Sequence, residues 1–379
     1  MRGISVSRTL SFYLIREISL YSILGFLALT MILVSQNLVR GLEDLIGVGL
    51  TWADFAVAAQ SMAIMFMAYA APISFFLGAL LALRRLTSHS EILAMRACGI
   101  GLGTLLVPTL SLGVLIASAT GYLVNESEHQ VRRNLRTLLM TVFARGNILE
   151  PGRFRVVGDR VIFVESRGAE NDLHGVMISN ETDDSSHSYV IFAEHGAFEF
   201  DPEIEMIRIQ LRDGELHTEP GNDKAAGYKR ISFEKLDYNI DVRELLVSAY
   251  RPTRPKQMTR AELKAVLDRA NRGKFLWDLD EKNPSRYEFE LHRRYALPII
   301  PVVFALLAVG LGTFQTRTSR AWAPVVGILV AFAYYGVLSF GGILSERGWM
   351  TSVIVLWSTN ALFGLVSLEI LRRAWRSAR

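Results

Sequence analysis

Six stretches of roughly 20 mostly apolar residues, the length that crosses about 30 Å of hydrocarbon as a helix, constrain this chain more than any other feature. They cover about 19–39, 55–83, 98–124, 295–314, 321–344 and 349–368 of 379 residues. Lipid offers backbone N–H and C=O groups no partners, so each stretch must be helical. The second is longer than a bilayer needs and carries Pro72 mid-way, which predicts a tilt or kink. Three spans precede a long polar middle and three follow it.

Arginine placement predicts the orientation. Arg2, Arg8 and Arg16 precede the first span, and Arg84, Arg85 and Arg96 separate the second from the third. Arg317 and Arg320 separate the fourth and fifth, and Arg372, Arg373, Arg376 and Arg379 end the chain. If six helices alternate, all four clusters share one side, which is expected to be the cytoplasm. Both termini then lie there, and the polar middle lies outside, in a bacterium the periplasm. Net charge is only +4, so bulk electrostatics make no case for nucleic acid. The single cysteine, Cys98, excludes an internal disulfide. The first apolar run is too long for a signal peptide and lacks a small-residue cleavage site.

The expected organisation is therefore an N-terminal membrane half (1–124), an inserted domain (125–288) and a C-terminal membrane half with a basic tail (289–379). Asn125–Gly146 reads as a continuation of the third helix, with Val131, Leu135, Leu138, Leu139 and Val142 at helical spacing. From Arg153 the pattern becomes β. Arg160–Glu165 and Tyr189–Ala193 are short β-rich runs, and Met206–Arg212 alternates cleanly. Asp213-Gly214 predicts a two-residue hairpin. In Tyr228–Asp241 the apolar phase slips, which predicts a bulge. Six or so such strands predict an all-β, jelly-roll-like sandwich. The acidic run Glu181, Asp183 and Asp184 reads as a solvated hairpin loop. His174, His187, His195 and His217 stand at no metal-ligand spacing, so surface histidines are the simpler reading. A domain with strand edges and no catalytic constellation is expected to bind partners. Pro252 and Pro255 mark a linker, and Thr259 with Glu262 predicts a capping box opening a helix over about Arg260–Asn271.

Leu83–Gly99, L-R-R-L-T-S-H-S-E-I-L-A-M-R-A-C-G, joins spans two and three. Ser88 and Glu91 are spaced for a capping box over a helix at 88–98, and Gly99 is placed for a left-handed C-cap. Such a short helix is not stable alone in water, so the flanking spans or a partner must hold it. No G-x-x-x-x-G-K-[ST] loop occurs; any ATP must be hydrolysed by another subunit. Charged residues are essentially absent from the spans, which argues against an ion-coupled carrier.

At this point the chain resembles the lipopolysaccharide export permeases, the LptF/LptG family. The similarity rests on S-E-I-L-A-M-R-A-C-G at Ser90–Gly99, like the family's cytoplasmic coupling helix, and on Q-N-L-V-R at Gln36–Arg40. Q-M-T-R-A-E-L at Gln257–Leu263 and E-L-H-R-R-Y-A-L-P at Glu290–Pro298 add to it. Val161–Ser166 before a G-V-M-I strand, and the coupling helix ending A-C-G, are nearer the LptF branch. The resemblance implies a permease subunit without enzymatic activity or cofactor. It would pair with an LptG-like sister permease on a dimer of LptB-like cytoplasmic ATPases. It would extract lipopolysaccharide and pass it to LptC- and LptA-like periplasmic proteins. Lateral gates would form between the first span of one permease and the fifth of the other.

Single residues carry two readings each. Glu91 is a capping carboxylate or, through the resemblance, the coupling-helix residue that contacts the ATPase. Arg84, Arg85 and Arg96 are topology determinants or partners of ATPase carboxylates. Arg40, Arg293 and Arg294 lie at the outer ends of spans one and four. They are snorkelling anchors or grips for lipid A phosphates, which suit bidentate arginine contacts. Asn37 stands where many family members carry a lysine, so one contact would be missing. Two other classes compete: a mechanotransmitting subunit that moves no substrate, and a lipid-modifying enzyme using Glu43, Asp44 and Asp54.

Overall fold

The computed structural model describes residues 8–45, 51–144, 151–157, 160–168, 172–180, 189–201, 206–218, 228–241, 254–272, 284–313 and 322–376. Arg2, Pro252, Arg317, Arg320, Arg379, the acidic run 181–184 and His187 lie outside the described residues. So do the side chains of Arg40, Glu43 and Asp44, although α1 runs through them.

Among the described residues, six helices are long and apolar enough to span a membrane. In chain order the helices are α1 (Arg8–Leu45), α2 (Trp52–Ser88), α3 (Glu91–Ala97), α4 (Gly103–Tyr122) and α5 (Glu128–Ala144). After the strands come α6 (Arg254–Gln257), α7 (Arg260–Asn271), α8 (Ser285–Ala296), α9 (Ile300–Gly312), α10 (Trp322–Glu346) and α11 (Ser352–Arg376). A π-helical turn, Leu123–Ser127, joins α4 to α5, and a 3-10 turn, Leu297–Ile299, joins α8 to α9. The fourth span therefore begins earlier than its apolar run: polar α8 leads into it across Pro298. Thr51 and Asp54 cap α2 reciprocally, Thr51 Oγ1 donating to Asp54 Oδ2 at 2.7 Å and Asp54 N–H to Thr51 Oγ1 at 3.3 Å. A capping pair between buried Asp54 and exposed Thr51 is what Asp54 forms here.

The chain divides into two compact units. The first comprises Met1–Ser35, Gln60–Arg133 and Thr253–Arg379, the second Gln36–Ala59 and Asn134–Pro252. The helical unit has two apolar clusters. The larger centres on Phe75, Phe76, Phe304, Leu297 and Tyr334, all under 2% exposed, with Phe76 stacked on Phe304 at 4.6 Å. Polar pairs tie the spans where lipid would leave them unsatisfied: Ser345 Oγ meets Ser352 Oγ at 2.7 Å, and Asn360 Nδ2 donates to the Ala296 carbonyl at 3.1 Å. Gly341 is needed against Val355 of α11, whose Cγ1 would lie 2.0 Å from an added Cβ, while Gly336 faces open space.

The second unit carries one six-stranded antiparallel sheet of sequential order. Its strands are β1 (Phe154–Val157), β2 (Arg160–Arg167), β3 (Asp172–Asn180), β4 (Tyr189–Asp201), β5 (Met206–Thr218) and β6 (Lys229–Asp241). The inserted β domain is present, and its strand order is that of an up-and-down meander. Ile162, Ile178, Ile191, Ile209 and Ile240 form its core, with Leu135 and Leu138 of α5 packed in.

Two local expectations change. Asp213-Gly214 does not turn the chain: β5 runs on to Thr218, paired with Tyr189 on one side and Lys229 on the other. Asp213 instead holds a left-handed φ of 53° inside the strand. The phase slip in β6 is real, but the β5–β6 register is continuous from Met206↔Asp241 to Thr218↔Lys229, so β6 has no one-sided bulge. Every ladder from β2 to β6 skips one pair at the same level, where Glu165, Gly175, Glu194, Asp213 and Glu234 stand in line. Gly175 is also left-handed, φ 63°. On β3 the buried positions change from Leu173 to Val176 and on β4 from Ala193 to Gly196, each across this row. One extra residue per strand lets all of them shift phase together and keep apolar side chains on one face.

Candidate functional site

The link from α2 to α4 is built on a third apolar cluster. Leu14, Leu83, Leu86, Ile92, Leu102, Leu105, Val309 and Leu371 are among its buried members, with Tyr13 and Met95 packed against it. Ile92 and Met95 of α3 face this cluster, which supplies the tertiary support that seven helical residues lack alone. Thr87 Oγ1 donates to the Gly312 carbonyl at 2.8 Å and ties the end of α2 to the end of α9.

The helix ends as its sequence predicts. Gly99 is left-handed at φ 77°, its N–H donating to the Arg96 carbonyl at 2.9 Å and that of Ile100 to Met95 at 2.9 Å. This is a complete Schellman motif. The start differs. Ser88 belongs to α2, and its Oγ donates to the Arg85 carbonyl at 3.0 Å. Ser90 is the N-cap, in the left-handed region at φ 61° and without a side-chain cap bond. The expected capping box at Ser88 and Glu91 is absent because α2 extends through Ser88.

Freed from capping, Glu91 accepts a hydrogen bond from Tyr13 Oη at 3.1 Å. Arg85 pairs with Glu17 of α1. Arg84 stays on the same last turns of α2. Arg96 encloses its Nε and Nη2 without a hydrogen-bond partner among the described residues. The opposite face of α3 is uncovered: Leu93 is 53% exposed, and Ala94, Ala97 and Cys98 are exposed beside it. Cys98 is thus an accessible thiol and not a packed one. The sequence spacing held a signal for Leu93, which stands opposite Ile92 and Met95 on the helical wheel, but only the packing shows which side is covered.

Arg293 and Arg294 are closed off, at 4% and 1% side-chain exposure. Arg293 donates to Glu290 at 2.8 Å and to Glu128 at 2.9 Å, and it also reaches Tyr69 Oη. Arg294 donates to Glu290 at 3.0 Å and to the Pro255 carbonyl at 3.3 Å. Asn125, in the π-helical turn, donates to the carbonyls of Gly121 at 2.8 Å and Arg294 at 3.3 Å. Beside them, burial pushes the Lys256 ammonium below its ordinary pKa, and the charges of Arg293 and Arg132 push further the same way. Side chains from α2, α5 and α8 thus meet in one buried ionic network, and neither guanidinium faces the surface. The pair expected to grip phosphates is engaged in this network. Next to it the capping box at Thr259 and Glu262 forms as expected, and Arg133 Nη2 bonds Glu262 at 2.7 Å.

In the sheet unit, His174 and His195 come together, Nδ1 to Nδ1 at 3.1 Å, while His217 stands against Tyr228 and Phe192. No group of three or more His, Cys, Asp or Glu side chains is arranged to hold a metal among the described residues.

No curated protein matches the chain. The family model of the lipopolysaccharide export system permeases LptF/LptG matches residues 12–373, from the first span to the end of the sixth. Because this match covers nearly the whole chain, the chain belongs to the LptF/LptG family of lipopolysaccharide export permeases.

Proposed function

We propose that this chain is the LptF-like membrane subunit of an ABC-type exporter. It extracts lipopolysaccharide from the bacterial inner membrane and passes it to a periplasmic protein bridge. ATP is hydrolysed by an LptB-like cytoplasmic dimer, and an LptG-like sister permease completes the cavity. LptC- and LptA-like proteins receive the lipid. In this reading both termini and α3 are cytoplasmic and the sheet unit is periplasmic.

The observation that carries it is α3 itself. A short helix is wedged by Ile92 into the ends of five longer helices and leaves Leu93 outside. A push on its exposed face is delivered to α1, α2, α4, α9 and α11 together. Glu91, Arg84, Arg85 and Arg96 are the coupling residues of this proposal. Arg96 is half-buried on α3, and its guanidinium is proposed to meet an ATPase carboxylate in a charge-assisted bond. Arg40, towards the outer end of α1, is proposed as a substrate contact. Arg293 and Arg294 would serve the substrate by holding α5 against α8.

The test is co-purification of the chain with its ATPase and sister permease, followed by lipid mass spectrometry. Bound lipopolysaccharide that is released on ATP addition supports the reading. An assembled, ATP-hydrolysing complex that neither binds nor releases the lipid would overturn it and leave a mechanotransmitting subunit.

A further inference from the structure

The sheet has a second face, and it is not polar throughout. Alternation puts Ile162, Val164, Ile178 and Ile191 toward the core, so Phe163, Met177 and Phe192 project from the opposite side. These three are direct neighbours in register, and Phe154 of β1 continues the line. The Phe154 and Phe163 rings lie 4.7 Å apart. Phe154 is 65% and Phe192 46% exposed. Four strands at about 4.8 Å spacing make this an apolar stripe roughly 14 Å long, and a groove of about 760 Å³ lies along it.

One side of that groove is acidic. Two residues beyond the stripe, roughly 7 Å along the strands, runs the row of shifted phase with Glu165, Glu194, Asp213 and Glu234. All four are exposed, and none forms an ion pair among the described residues. Glu194 and Asp213 line the groove itself. An apolar floor beside unneutralised carboxylates fits an apolar ligand edged with positive charge. It repels a phosphorylated lipid, whose anionic headgroup would meet the row at close range.

We infer that this outer face of the sheet is a docking surface for a protein segment that lays apolar side chains on Phe154, Phe163, Met177 and Phe192 and sets Lys or Arg side chains against Glu194 and Asp213. The segment runs across the strands, along the stripe. It uses neither edge strand. The inference rests on the sheet unit alone and holds whether or not the chain exports lipid.

The full chain in phosphatidylcholine nanodiscs tests it, with photoreactive benzoylphenylalanine replacing Phe154, or Ser232 at the far end of the same cross-strand row should the first variant misfold. The probes are short alternating Lys-Leu and Glu-Leu peptides of equal length, and adducts are mapped by mass spectrometry. The expected result is labelling by the Lys-Leu peptide at least about tenfold above the Glu-Leu peptide. That labelling falls toward the Glu-Leu level in Glu194→Gln/Asp213→Asn, a pair of changes that keeps a side chain tolerant of left-handed φ at 213. A photoreactive residue at Leu24, in the helical unit, reports non-specific capture and should show no charge preference. Equal labelling by both peptides, or no loss in the double variant, overturns the inference. So does an adduct with lipopolysaccharide supplied in the nanodisc that displaces the peptide, which would make the face a lipid surface.

Discussion

Arg293 and Glu128, separated by 165 residues, meet at 2.9 Å with both side chains under 5% exposed. The pair joins α8 to α5, and Glu290, Arg132 and Tyr69 complete the hydrogen bonding around it. Removing one member of such a pair leaves a bare charge in a low-dielectric interior, and the penalty for that exceeds the worth of the pair itself. Arg293→Met should therefore destabilise the detergent-solubilised protein by about 3–5 kcal/mol. Arg293→Met combined with Glu128→Leu should recover part of the loss in thermal melting. If the single variant melts with the wild type, the network does not hold these helices.

Glu91 and Tyr13 separate a structural from a coupling role. Tyr13→Phe deletes one neutral–charged hydrogen bond, worth about 1.5–3 kcal/mol at most, and keeps the carboxylate. We expect Tyr13→Phe to retain lipid release and Glu91→Ala to abolish it while α3 stays folded. Equal defects in the two would mean that Glu91 works through the tyrosine.

Leu93 offers an independent check on the same face. Leu93→Asp places a charge on an exposed position and should leave melting within about 0.5 kcal/mol of wild type. ATPase co-purification should fall severely. Retained assembly would show that the partner does not use this side of α3.

Cys98 is the only cysteine of the chain and is exposed. In intact spheroplasts a membrane-impermeant maleimide should fail to label it, and should label it once the membrane is opened and partner subunits are dissociated. Labelling from outside would invert the proposed orientation.

Glu262 gives a pH dependence. Its carboxyl lies below the ordinary carboxylate range because the Thr259 backbone N–H bonds it, with Arg133 adding to the effect. A folded pKa below the unfolded one means that the unfolded state binds protons first. The stabilisation is complete above the ordinary carboxylate pKa and disappears as pH falls through the lowered one. Glu262→Gln should flatten that acid limb of the melting temperature, and Thr259→Ala should cost about 1 kcal/mol at neutral pH.

Local chemistry was legible from the residues alone. Apolar length is enough to define the spans, because lipid leaves a backbone no alternative to the helix. Gly99 and the Thr259/Glu262 pair act within one helical turn, so their spacing already states their geometry. Met206–Arg212 could be read as a strand from its period-two alternation for the same reason.

Where a partner is distant in sequence, the residues say less. Two adjacent arginines at the end of an apolar span look like surface cations; Glu128 and the Pro255 carbonyl, contributed by other elements, turn them inward. Asp213-Gly214 has turn chemistry in isolation, but strands paired on both sides use its left-handed residue to shift the pleat instead. The alignment of Glu165, Glu194, Asp213 and Glu234 into one row depends on strand register, which no single strand encodes. Burial and pairing are sums over the whole fold, so they decide between readings that local sequence leaves equal.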